Sequence, residues 1–171
     1  MIDVIGQILG LGGAALAILS FQMKNNKHLY IAQGFSGLLF AANYLILGAY
    51  TAALMNLINL FRGFFMAGGE RFRGKLFMII VEVMYFSALL FTFDGVLSVL
   101  ITLVQMFATV IFWMNNGKLI RLSQLCISSP IWLVNNIAAG TIGGIVTEVV
   151  NIISILISFI RYGFDGFEKA K

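Results

Sequence analysis

The chain has 171 residues, of which 60% are hydrophobic and 11% charged, with a formal net charge of +4, one Cys and one Pro. Soluble domains average about 45–50% apolar and about 25% charged residues, so this much apolar surface needs lipid to cover part of it. The same figures exclude a disordered chain, a basic-faced nucleic-acid binder and a disulfide scaffold, since a lone Cys has no internal partner.

A helix needs roughly 20 apolar residues to cross the hydrocarbon core, whereas barrel strands alternate polar and apolar residues over about 10. That alternation is absent. The chain falls instead into seven apolar runs, at residues 4–23, 29–47, 50–67, 76–93, 96–114, 119–139 and 141–162. The expected fold is therefore an all-α polytopic membrane protein with seven transmembrane helices. Met1-Ile2-Asp3 lacks the basic stretch of a cleaved signal peptide, so the first run is expected to stay.

Counting the loops alternately puts the cations on one side: Lys24 and Lys27, then Arg71, Arg73 and Lys75, then Lys118 and Arg121, then Arg161, Lys169 and Lys171. The other side carries Asp3 and Asp94. The positive-inside rule then predicts an outside N-terminus and a cytoplasmic C-terminus. A miscounted run would have scattered the charges.

Sliding the chain over itself by 91 or 92 residues exposes an internal repeat. Met23, Asn25, Asn26 and Gln33 meet Met114, Asn116, Gly117 and Gln124. After one inserted residue, Phe40, Asn43, Gly48, Asn56 and Asn59 meet Trp132, Asn135, Gly140, Glu148 and Asn151. The expected organisation is a three-helix unit over residues 1–67, a linker helix in 68–95, and a second three-helix unit with a short tail over 96–171. A single linker crossing makes the two repeats parallel, as in transporters whose site lies at the repeat interface.

Within the runs, Asn56 with Asn59 and Glu148 with Asn151 are three residues apart and share helix faces, as do Phe40 with Asn43 and Trp132 with Asn135. Polar side chains in hydrocarbon need a partner or water, so these faces are expected to turn inward. Two matched walls of amides and rings suit a small polar solute; interhelical hydrogen bonding is the plainer use of any one Asn. Arg62 and Glu82 lie at similar depths, roughly 7–10 Å from the same surface at 1.5 Å per residue. They are expected to form an ion pair, either structural or a gate. Glu148 has no obvious cation at its depth, which suits it to a proton, to an amine on the substrate, or to a structural hydrogen bond.

This 3+1+3 arrangement, with its outside N-terminus and short chain, resembles the SWEET and PQ-loop superfamily, and most closely the YgjV-type family of small bacterial inner-membrane proteins. The resemblance implies a SWEET-like fold in the bacterial inner membrane. It also implies a central pocket lined by an aromatic residue from the second helix and an Asn from the third helix of each unit: here Phe40 with Asn59, and Trp132 with Asn151. The Pro-Gln pair that names the PQ-loop group is missing from the first and fifth runs, and the one proline is Pro130.

His28 and Cys126, one of each, leave too few of the usual ligands for a metal cluster. No nucleophile pair is evident, so neither an enzyme nor a cofactor is expected. Two function classes fit. One is a transporter for a small polar solute (a sugar, nucleoside or vitamin) working by alternating access at the repeat interface. The other is a non-transporting membrane receptor or assembly partner. The expected partners are that solute and the lipid bilayer, with no nucleic acid; a homo-oligomer is compatible with either class.

Overall fold

The computed structural model describes residues 2–70, 72 and 74–167. Arg71, Arg73, Lys169 and Lys171, four of the cations assigned to the basic side, lie outside the described residues, as does the side chain of Asp3.

Seven helical rods follow the seven apolar runs. They are α1 (Ile2–Phe21), α2 (Asn26–Ile46), α3 (Tyr50–Ala67), α4 (Lys75–Thr92) and α5 (Val96–Trp113), then a composite rod, then α8 (Ile142–Tyr162). The composite rod joins α6 (Gly117–Ser123) to α7 (Ser129–Ala138) through a π turn, Gln124–Ser128.

Local chemistry explains where the rods start and stop. The Asn25 side chain accepts from the Lys27 N–H at the start of α2, and Asn116 accepts from the Lys118 and Leu119 N–H groups at the start of α6. Each satisfies a first-turn donor that has no partner within its helix. The turns after α2 and α7 reverse at Gly48 (φ +74) and Gly140 (φ +67), a backbone region that a side chain disfavours. Asn25 with Asn116, and Gly48 with Gly140, are positions that the 91- or 92-residue sequence offset brings together. The π turn precedes Pro130, whose ring would crowd the carbonyl four residues back. Widening that turn, with the Ser129 N–H reaching the Gln124 carbonyl, keeps the rod continuous through the proline.

Six rods close a ring. α2 packs on α1 and α3, α3 on α5, α5 on α6 and α7, α7 on α8, and α8 back on α1. Small residues permit the close approaches: a Cβ on Gly63 of α3 would lie 2.6 Å from the Tyr30 carbonyl oxygen of α2. One on Gly143 of α8 would lie 3.0 Å from the Gly10 backbone of α1. Such contacts suit helices that cannot rely on water to drive them together. α4 stands outside the ring against α3 and α5, burying only the stripe Val81, Tyr85 and Ala88.

Five helices (α1, α2, α4, α5 and α8) are long and apolar enough to cross a membrane. The sequence reading of seven runs is thus met by seven rods, two of which fall short of that measure. α3 carries Asn56, Asn59 and Arg62, and the composite rod is broken into short pieces by its π turn.

The rods share two ends. At one, Tyr162 Oη donates to the Gln22 carbonyl (3.0 Å) and Asn26 Nδ2 to the Asn115 carbonyl (3.2 Å). This basic end holds Lys24, Lys27, Lys75, Lys118 and Arg161. At the other, Thr141 Oγ1 donates to Asn43 Oδ1 (3.1 Å) and Thr51 to the Thr92 carbonyl. In the loops of this turn end, 47–49, 93–95 and 139–141, Asp94 is the one charged residue. Each end has its own apolar cluster: Phe40, Tyr44, Met55, Tyr85, Ile101 and Trp132 toward the turn end, and Phe21, Tyr30, Met66, Ile111, Phe112 and Ile155 toward the basic end.

Candidate functional site

Between those two apolar layers lies a polar cavity of about 90 Å³, and every rod of the ring contributes to its wall. A water needs only about 10–15 Å³ on this measure, so the space takes several waters or a compact solute.

The lining has a regularity. Sixteen of its twenty residues fall into eight pairs separated by 91 or 92 positions. These are Ala17 with Ala108, Phe21 with Phe112, Gln33 with Gln124, Ser36 with Ser128, Phe40 with Trp132, Tyr44 with Asn136, Asn56 with Glu148, and Asn59 with Asn151. The cavity therefore presents nearly matching walls from the two halves of the chain.

Toward the turn end the wall is aromatic. Tyr44 stands between Phe40 (ring centroids 6.1 Å) and Trp132 (6.0 Å), and its hydroxyl donates to Asn136 Oδ1. Toward the basic end Phe21 and Phe112 narrow the space. Arg62, 4% exposed, reaches α5 there: Nη1 donates to Gln105 Oε1 (3.1 Å) and Thr109 Oγ1 (3.3 Å). Its guanidinium carbon lies 4.4 Å from the Phe112 ring centroid, a cation–π contact.

The middle of the cavity is under-satisfied. Ser128 Oγ, Glu148 Oε2, Asn151 Oδ1 and Arg62 Nε are buried with no hydrogen-bond partner among the described residues. Buried polar atoms are nearly always paired, so four orphans on one wall system call for a bound guest or water. Asn59 is partly engaged, its Oδ1 accepting from Tyr85 Oη (2.6 Å), and Asn56 Nδ2 donates to the Ala52 carbonyl of its own helix (2.9 Å).

Of the eight residues expected to meet a solute, Phe40, Asn56, Asn59, Trp132, Glu148 and Asn151 line this cavity. Two do not. Asn43 is fully buried as interhelical glue, with Nδ2 donating to the Gly6 carbonyl (2.8 Å) and Oδ1 accepting from Thr141. Glycines on α1 let that helix come close enough to use up the amide; a Cβ on Gly10 would sit 3.3 Å from it. Asn135 lines a different cleft, at the turn end.

The expected Arg62–Glu82 ion pair is also corrected: among the described residues no carboxylate lies within 4.0 Å of Arg62, and Glu82 Oε1 is buried without a partner. Depth along the two helices matches, but rotation does not. Glu82 stands one position off the buried stripe of α4, while Arg62 turns to α5.

Sequence reasoning missed Gln33, Ser36, Tyr44, Gln105, Gln124, Ser128, Asn136 and Thr147. The repeat offset held the signal for six of them: Gln33 with Gln124 was visible in it, and the same register would have found Ser36 with Ser128 and Tyr44 with Asn136.

No curated protein and no solved structure matches the chain. A family model does, that of the bacterial inner membrane proteins Imp-YgjV, over residues 4–165. With nearly the whole length covered, the protein belongs to this family of bacterial inner membrane proteins.

Proposed function

We propose that the protein is a transporter for a small polar solute, built from two parallel three-helix units joined by α4 and working by alternating access at the interface between them. The observation that carries this reading is the cavity with its eight matched pairs, in which three acceptors and one guanidinium N–H have no partner among the described residues. A site that must release its guest to either side benefits from nearly equivalent walls, because rocking one unit against the other then exposes the same groups in turn. The amides and hydroxyls of Asn59, Asn151, Ser36 and Ser128 suit hydroxyls or amines on the solute, and Phe40 and Trp132 suit its apolar face. Glu148 stands where the other half has Asn56, and we assign to it the proton or the cationic group of the substrate. In this reading the basic end faces the cytoplasm, in line with the positive-inside rule.

The test is a solute screen on purified protein, read by thermal unfolding, because any ligand that binds the native state preferentially raises its stability. Hits are then followed by uptake into proteoliposomes. A solute that stabilises the wild type but not Asn151→Ala, and is taken up only by liposomes holding the wild type, supports the reading. Stabilisation without uptake favours the receptor alternative.

A further inference from the structure

A second cavity lies at the turn end, a cleft of about 670 Å³ between the last turn of α4, the first turns of α3 and α5, and the end of α7. Asn135, 8% exposed, lines it with an Nδ2 that has no acceptor among the described residues.

The two halves of the chain explain why this cleft exists. In the first half, Asn43 spends its Nδ2 on the Gly6 carbonyl across the tight packing of α1 on α2. The 91-residue offset that holds before the inserted residue takes Gly6 to Leu97 on α5. There the helices stand apart: Leu97 lines the cleft, and the amide of Asn135 is left free.

The cleft also carries a charge pattern. α5 begins without a side-chain cap, since its N-cap residue is Gly95, and Ser98 Oγ accepts from the Asp94 N–H outside the helix. Its first-turn N–H groups therefore form a positive end, which favours an anion. Among the described residues Asp94 is the only charged one in the lining, and exposed Phe91 and Phe93 flank it (86% and 64%). The position, where the helices end, is headgroup depth in a bilayer.

We propose that this cleft binds the head of a zwitterionic phospholipid with a primary ammonium. The phosphate meets the α5 N-terminus and the Asn135 amide, the ammonium meets Asp94, and the acyl chains run over Phe91 and Phe93. An anionic head without an ammonium would face Asp94 with no compensating cation. The occupant is a lipid rather than a soluble zwitterion because the mouth of the cleft is apolar and exposed where acyl chains would lie. The proposal does not depend on the transport reading.

Full-length protein stripped of lipid in a mild detergent is titrated with phosphatidylethanolamine, phosphatidylglycerol or phosphoethanolamine, and thermal unfolding is followed. Phosphatidylethanolamine should raise the midpoint by roughly 3–8 °C at saturation. Phosphatidylglycerol should give a small fraction of that, and phosphoethanolamine none. Asp94→Asn and Asn135→Leu should fold, since neither side chain is hydrogen-bonded within the described residues, and each should remove most of the lipid effect. Equal shifts from the two lipids, or an undiminished shift in both variants, overturn the proposal. A shift from phosphoethanolamine equal to that of the lipid overturns the lipid assignment in favour of a soluble zwitterion.

Discussion

Tyr44 donates its phenolic proton to Asn136, a residue 92 positions further along the chain and the one that the sequence offset pairs with it. The two halves thus meet through equivalent positions at the turn-end lid of the cavity. Both residues are buried, Tyr44 at 2% and Asn136 at 1% exposed. Tyr44→Phe leaves the Asn136 acceptor without its donor and should cost about 1–3 kcal/mol. Adding Asn136→Leu removes the orphan as well, so the double variant should recover part of that loss. Denaturant unfolding in detergent measures both.

Arg62 should couple more strongly to Gln105 than to Glu82. Charge-assisted hydrogen bonds are worth about 1.5–3 kcal/mol each, and Arg62 makes them to α5. A double-mutant cycle over Arg62→Ala and Gln105→Ala should show a coupling above about 1 kcal/mol, whereas Arg62→Ala and Glu82→Ala should come closer to additive.

Arg121 was legible only as one more cation of the basic side, yet it is fully buried. Nη2 donates to the Phe21 and Met23 carbonyls (3.1 and 2.9 Å), Nη1 to the Gly117 carbonyl (3.1 Å), and Nε to Ser158 Oγ (3.2 Å). It closes the C-terminal end of α1, whose last carbonyls have no partners within the helix. Arg121→Met strips several carbonyls at once and should destabilise by at least about 3 kcal/mol. Arg121→Lys, with fewer donors, should recover only part. Yield of folded protein and the unfolding midpoint report it.

Three residues that look alike in the sequence should behave differently. Asn43→Ala breaks two interhelical bonds and should cost about 2–3 kcal/mol. Asn151→Ala removes an Oδ1 with no partner among the described residues, together with the amide beside Glu148, and should cost less than Asn43→Ala while abolishing solute-induced stabilisation. Glu148→Gln should keep the fold and flatten any pH dependence of uptake, if its carboxylate, unpartnered at Oε2, carries the coupled proton. Uptake measured across a pH series in wild type and variant decides it.

What could be read in advance was whatever depends on position along the chain. Apolar length located the seven rods, and Asn25 with Asn116 and Gly48 with Gly140 fell as matched positions in the breaks between them, where the structure puts helix caps and chain reversals. The repeat offset reached further, into the cavity wall itself. Rotation about each helix axis was not legible. Asn43 and Asn59 lie 16 residues apart, as do Asn135 and Asn151, yet one Asn of each pair meets the central cavity and the other does not. Arg62 and Glu82 share a depth but not a facing direction. The π turn was equally hidden: Pro130 marks a disturbance, but only packing decides whether the rod kinks, breaks or widens.

The most direct test of the central cavity needs no knowledge of the substrate. Ser128 lies in the π turn, 3% exposed, its hydroxyl in the cavity wall and without a partner among the described residues. With the native thiol removed by Cys126→Ala, Ser128→Cys is treated with a charged, membrane-impermeant methanethiosulfonate from either face of sealed, oriented vesicles. Alternating access predicts labelling from both faces, each slowed by a solute that binds. Labelling from one face alone, or from neither, would contradict a transport pathway through this cavity.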